Sequence, residues 1–163
     1  MHLKFIDLYD RYFDDIYRYT YLKTGSKWET DDLVSDIFTK AYEKFDTVRG
    51  SQKAWLFTIA RNTIIDYYRR KKEVTMGDDL DLFAYTQILD EEVEKDEELI
   101  YLKRSLKMLT GDELELISLR YFSDMKYCDI GKVLGKSEDA VKMKTSRVVR
   151  KLKELIKDCM EGK

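Results

Sequence analysis

The chain has 163 residues, with 30 Lys and Arg against 32 Asp and Glu, seven glycines and no proline. That length suits one ordinary domain or two small ones, and 44% hydrophobic with 38% charged residues describes a folding chain with a densely charged surface. Two widely spaced cysteines, Cys128 and Cys159, and a single histidine, His2, exclude a zinc framework, so no metal or other cofactor is expected, and no apolar run reaches the length of a signal core or membrane span, so a cytoplasmic protein is expected.

Few breakers and much Leu, Lys, Glu, Asp and Tyr predict an all-α protein. From His2 to Leu22, Phe5, Leu8, Tyr9, Tyr12, Ile16 and Tyr19 recur at helical spacing, and this aromatic stripe is read as core. Thr24-Gly25-Ser26 ends that helix. A second helix is predicted from Thr30 or Asp31 to about Phe45, with Leu33, Ile37, Ala41 and Phe45 inward. Acid at its start is also what a helix N-terminus favours.

Asp46 to Ser51 reads as a turn, and a third helix follows from about Gln52 to Lys72. Trp55, Leu56, Ile59, Ala60, Thr63, Ile64 and Tyr67 supply its apolar side. Its basic end after Tyr67-Tyr68 can follow a nucleic-acid backbone with the rings against bases, or can simply complement the helix dipole.

Residues 74–96 are a composition break. From Asp78 to Glu98 there are ten acidic residues and one lysine, which accounts for a net charge of −2 on an otherwise basic chain. This stretch is expected to be an acidic linker, partly helical near Leu80–Leu89. It serves as a solvated connector or as a strap shielding basic surfaces.

A second helical unit begins near Asp96, with Leu99, Leu102, Leu106 and Leu109 at helical spacing. Thr110-Gly111-Asp112-Glu113 is a capping box that opens a helix carrying Leu114, Ile117, Ser118 and Tyr121. The last quarter has the layout of a helix-turn-helix: a short apolar-periodic helix from Lys126 to Leu134, the turn Gly135-Lys136-Ser137, and a long basic helix from Glu138. Gly135 suits the position past a helix end and Ser137 an N-cap. In the long helix Val141, Thr145, Val148, Leu152 and Leu155 share one face, while Asp139, Lys142, Met143, Ser146, Arg147, Arg150 and Lys153 share the other. The charged face can be a solvated surface or can enter a DNA major groove.

Three stretches in order resemble bacterial RNA polymerase sigma factors of the sigma-70 family, extracytoplasmic-function (ECF) group. Asp31-Asp32-Leu33-Val34-Ser35-Asp36-Ile37-Phe38-Thr39-Lys40-Ala41-Tyr42 resembles the family's core-binding helix, although Ser35 stands where Gln is usual. Ala54 to Asn62 with Asp66 to Lys72 resembles its −10 helix, and Leu109 through Tyr121 plus the helix-turn-helix resembles its domain 4.

The resemblance implies two small helical domains, 1–73 and 97–163, on a flexible joint, and a non-enzyme with no small-molecule substrate. It implies that Asp31, Asp32, Leu33, Asp36, Phe38 and Tyr42 dock on the β′ clamp helices of core RNA polymerase, with domain 4 meeting the β flap. The turn from Asp46 to Lys53, including Arg49 and Lys53, matches the loop that captures a flipped −10 base, and Asn62 and Asp66 lie on the helix that contacts that element. Arg61, Arg69, Arg70 and Lys71 would hold its backbone. At the −35 element Arg120, Lys142, Lys144 and Arg150 would grip phosphates while Met143, Ser146 and Arg147 read base edges. An anti-sigma factor, often membrane-bound, is the implied regulator. The other reading is a stand-alone dimeric helix-turn-helix regulator. An enzyme finds no nucleophile–base pair, metal set or Gly-rich loop in the sequence.

Overall fold

The computed structural model describes residues 2–75 and 96–162, so the expected linker, with its helix near Leu80–Leu89, lies outside the described residues apart from its ends. The described residues form seven α-helices and no strand: α1 (His2–Thr24), α2 (Lys27–Glu43), α3 (Gln52–Thr75), α4 (Glu97–Lys107), α5 (Gly111–Ile117), α6 (Tyr127–Leu134) and α7 (Glu138–Met160). None of them is long and apolar enough to cross a membrane.

The helix boundaries follow local chemistry. Gly25 takes φ +67 after α1, and Ser26 caps α2 by accepting the Glu29 amide, so α2 begins three residues before the expected Thr30. Thr30 is instead buried, its hydroxyl 2.7 Å from that of Thr24, which ties the α1–α2 corner together. The capping box at α5 forms as the sequence predicts, with Thr110 taking the Glu113 amide and Glu113 taking the Thr110 amide. Beyond Ile117 the chain makes a π-helical turn, Ser118–Phe122. Within that turn Leu119 is fully buried while Tyr121 is 56% exposed.

Helices α1, α2 and α3 pack on one another, and α4, α5 and α6 each pack on α7. Phe57, absent from the predicted apolar side of α3, is fully buried with its ring edge-on to Tyr19 at 5.1 Å. The two halves are in contact. Helix α6 packs along α3, and one apolar cluster runs from Ile16, Leu56 and Phe57 to Leu116, Leu119 and Ile130.

Candidate functional site

Three surfaces gather the residues singled out by sequence. The first lies between α1 and α2. Phe5, Tyr9, Phe13 and Tyr17, one every four residues of α1, face Asp31, Val34, Ser35, Phe38, Thr39 and Tyr42 of α2 across an open groove of about 520 Å³. The rings interlock: Tyr9 is edge-on to Phe38 at 4.7 Å, Phe13 stacks on Phe38 at 5.9 Å, and Phe5 is edge-on to Tyr42 at 5.1 Å.

Of the α1 aromatics read as core, Tyr19 is core and Phe5 and Tyr12 pack against it, so the correction falls on Tyr9 alone. Tyr19 is buried, but Tyr9 is exposed, and Phe5, Phe13 and Tyr17 are half-buried along the groove. The signal was present as a second stripe with a spacing of four, offset from Leu8, Ile16 and Tyr19. Asp31, exposed on the groove lining, accepts the Tyr17 hydroxyl at 2.9 Å, which raises the Tyr17 pKa, whereas Asp32 is exposed but does not line the groove. Tyr42 is 45% exposed, Phe38 is largely buried as groove floor, and Asp36 pairs with Lys40 at 3.2 Å. Leu33 is buried in the core and presents nothing to a partner.

The second surface is the loop before α3 and the outer side of α3. Arg49, Asn62, Asp66, Arg69 and Arg70 are exposed. Arg49 folds back on the carbonyls of Val48 and Asp46 at 2.8 and 3.3 Å. Arg69 pairs with Asp66 at 3.6 Å and Arg70 donates to the Asp66 carbonyl at 3.4 Å within α3. The remaining three expected DNA-facing cations have partners farther along the chain. Lys71 pairs with Glu29 at 2.7 Å, Lys53 donates to the carbonyl of Ser123, and Arg61 pairs with Glu115 at 3.1 Å. Tyr67 and Tyr68 are not a free stacking pair. The Tyr67 hydroxyl donates to Glu29 and that of buried Tyr68 to the Lys23 carbonyl. Burial and then Glu29 push Tyr67 up to about 12, and burial raises Tyr68 further.

The third surface is the helix-turn-helix. Gly135 ends α6 at φ +68, Ser137 accepts the Ala140 amide at 3.1 Å, and α7 buries Val141, Thr145 and Val148 as its spacing predicts. Lys142, Met143, Ser146, Arg147 and Arg150 are all exposed on the outward face. Lys142, Ser146, Arg150 and Lys153 line a shallow basic hollow with Tyr121 and Tyr127. Two expected phosphate contacts sit elsewhere. Arg120 lies over the Tyr127 ring at 4.1 Å and donates to the Met125 carbonyl at 3.0 Å, tying the π-helical turn to α6. Lys144 is half-buried and lines a narrow cleft with Arg61 and Glu115.

Sequence reasoning missed Glu115. It is only 2% exposed, and its Oε1 accepts Tyr19 Oη at 2.8 Å, Lys23 Nζ at 2.9 Å and Arg61 Nε at 3.1 Å. Burial opposes its charge, but Lys23, Arg61 and Tyr19 together hold its pKa below the usual value. Burial pulls Lys23 down to about 8 against the pull of Glu115. Among the described residues no group of three or more His, Cys, Asp and Glu side chains could hold a metal ion.

Comparison with known proteins agrees with this layout. The sigma-70 region 2 family matches residues 8–74 and the sigma-70 region 4 family matches residues 105–154. The chain is 32% identical over 157 residues to the ECF RNA polymerase sigma factor BldN of Streptomyces coelicolor, covering 93% of this chain and 60% of that one. It is 30% identical over 151 residues to the ECF RNA polymerase sigma factor SigM of Bacillus subtilis, covering 91% and 93% of the two chains. A solved structure of the sigma factor RpoE in complex with the anti-sigma factor NepR from Bartonella quintana superimposes with a TM-score of 0.72 at 26% identity, over 94% of this chain and 97% of that one. With both sigma regions in order on an all-α scaffold, the chain belongs to the sigma-70 family, in its extracytoplasmic-function group, whose members direct core RNA polymerase to promoters.

Proposed function

We propose that residues 1–73 dock on core RNA polymerase and hold the −10 element, that 97–163 read the −35 element, and that the acidic segment 74–96 joins them. The observation that carries this reading is the division of labour between surfaces. An aromatic groove between α1 and α2, with Asp31 at its side, suits a protein partner, while the exposed basic face of α7 suits a DNA groove.

The groove is the docking site for the β′ clamp helices. Its centre is apolar and aromatic, the composition of an interface hot spot, and Asp31 and Asp32 give the contact its salt dependence. Phe38 and Tyr42 complete it, and Asp32 and Asp36 extend the contact along α2 outside the groove. Leu33 supports it from below. Arg49, Asn62, Asp66, Arg69 and Arg70 form the −10 surface. Lys53, Arg61 and Lys71 join it when their protein partners release them. Because capture of an unstacked base costs a few kcal/mol, recognition of that element and its melting are one event.

On α7, Lys142 and Arg150 grip phosphates while Met143, Ser146 and Arg147 face base edges, and Lys144 joins the phosphate contacts only when the cleft it shares with Arg61 and Glu115 opens. Arg120 holds the fold of the domain. Domain 4 also meets the β flap, and an anti-sigma factor is the regulator. The protein acts in the cytoplasm, performs no chemistry of its own and takes no small-molecule substrate.

Run-off transcription with bacterial core RNA polymerase, on a promoter library that includes the DNA upstream of the protein's own gene, tests this. Transcripts that start only when the protein is present support it, and the recovered sequences give both promoter elements. Failure to join the core, with dimeric binding to duplex DNA instead, replaces it with a stand-alone regulator.

A further inference from the structure

The narrow cleft that holds Lys144 belongs to none of the three surfaces. It lies where α3, α5 and the turn into α7 meet, and its volume is about 80 Å³. That is room for one tetrahedral oxyanion, far below the roughly 300 Å³ at which pockets for drug-sized ligands begin. Leu116, Leu134 and Val141 form apolar walls, and a low local dielectric strengthens any charge-assisted bond made between them.

Cations dominate the polar lining. Arg61 comes from α3, Lys136 from the helix-turn-helix turn and Lys144 from α7, against Asp112 and Glu115 from α5. The Glu115 charge is already met by Lys23 at 2.9 Å as well as by Arg61. Among the described residues neither Lys136 nor Lys144 has a carboxylate partner. Lys144 is half-buried, and an ammonium drawn out of water without a counter-ion is costly. An anion in the cleft supplies the missing charge.

Glu115 makes the cleft selective among anions. Its three donors, Tyr19, Lys23 and Arg61, all end on Oε1, so Oε2 receives none of them. The side chain is 2% exposed, and the cleft is the space that it lines. An ionised carboxylate accepts hydrogen bonds and donates none. It therefore repels sulfate, which carries no proton at neutral pH. It also repels the dianion of a phosphate monoester, whose last proton leaves at about pH 6. Inorganic phosphate keeps a P–OH at neutral pH and can donate it to Oε2 while its other oxygens accept from the cations. We propose that this cleft is a binding site for inorganic phosphate, with Arg61, Lys136 and Lys144 donating to its oxygens and Glu115 accepting from its P–OH. The site does not depend on the −10 and −35 roles given above, so its failure leaves them untouched.

The full chain without polymerase is titrated at neutral pH and constant ionic strength with inorganic phosphate, sulfate and methyl phosphate, by calorimetry and by melting temperature. Phosphate is expected to bind saturably, at least about tenfold more tightly than either of the others, and to raise the melting temperature. Lys136→Gln and Lys144→Gln remove a charge without breaking an ion pair of the fold, and each is expected to weaken phosphate binding by about tenfold. Glu115→Gln is expected to erase the preference for phosphate over sulfate, because an amide can donate to an unprotonated oxygen. Should Glu115→Gln fail to fold, the wild-type comparison of anions and the two lysine variants still decide. Absence of saturable binding overturns the proposal, and so does a phosphate response that sulfate reproduces, which is screening by salt. Wild-type affinity in both lysine variants places the ion elsewhere and overturns it. Methyl phosphate bound as tightly as inorganic phosphate, or a preference over sulfate that survives in Glu115→Gln, overturns the role of Glu115 as proton acceptor.

Discussion

The Lys136 amide donates to the Gly131 carbonyl at 2.8 Å, and a Cβ on Gly131 would stand 2.5 Å from the Lys136 carbonyl oxygen. The helix-turn-helix turn is closed this tightly because Gly131 has no side chain. The obstructing atom is backbone, so it cannot swing aside. Gly131→Ala is expected to destabilise the second half by about 3 kcal/mol, the upper range for an overpacked site. Thermal unfolding followed by circular dichroism, together with loss of −35 DNA binding, checks it. A Gly131→Ala protein with unchanged melting refutes the close approach.

Tyr42 gives the groove its most separable test. It is 45% exposed and meets Phe5 edge-on, so truncation removes an interface ring with little loss of core. Tyr42→Ala is expected to weaken core polymerase binding by roughly ten- to thirtyfold, about 1–2 kcal/mol, with melting nearly unchanged. Trp28 is 79% exposed, lies off the groove and serves as the control. Equal binding by wild type and Tyr42→Ala in a fluorescence titration would remove the groove from the polymerase interface.

What the sequence carries is local. Ser137, Gly135 and the Thr110–Glu113 box mark helix ends within three or four residues, and the α7 stripe repeats within one helix. Glu115 has no such signature. It stands among Leu114, Leu116 and Ile117 as an ordinary helix acid, and its donors lie 96, 92 and 54 residues away in the chain. The π-helical turn at Ser118–Phe122 breaks the helical period that joins Leu114, Ile117, Ser118 and Tyr121 in the sequence. The α1 aromatics were visible, but whether a ring is core or groove depends on how far α2 stands from α1. No pattern within α1 reports that distance.

Glu115, Glu29 and Glu113 make stability sensitive to acid. Burial works against each charge, yet Lys23, Lys71 and Lys151 respectively, with further hydrogen bonds, hold each pKa below the ordinary 4.5. The unfolded chain then binds more protons than the folded one just below that value. The stabilisation is present above 4.5 and is lost as pH falls through the folded-state values. Calorimetry is expected to show the melting temperature dropping across that acidic range, with a shallower drop for Glu115→Gln. Parallel curves for the two proteins would separate Glu115 from the acid response.

Arg120 divides a structural from a DNA-binding role. Its guanidinium lies on the Tyr127 ring and bonds the Met125 carbonyl, a planar arrangement that a lysine cannot copy. Arg120→Lys keeps the charge and is expected to lower stability by about 1–2 kcal/mol through the lost stacking and hydrogen bond. A phosphate-gripping role alone would leave the melting temperature untouched and change only DNA affinity.

On α7 the exposed residues divide by chemistry. Arg147 can make a bidentate pair with guanine, whereas Lys142, 3.3 Å from Glu138, presents a single flexible ammonium. Arg147→Ala is expected to cost about 1–3 kcal/mol on promoters with the preferred base and to relax preference at that one position. Lys142→Ala is expected to weaken all sequences alike and to reduce the slope of log affinity against log salt by about one. Sequencing the promoters selected by each holoenzyme, with affinities taken at several salt concentrations, separates the two. If Lys142→Ala shifts the selected sequence while Arg147→Ala lowers affinity uniformly, their roles are exchanged and α7 is rotated in the groove to face Lys142 to the bases.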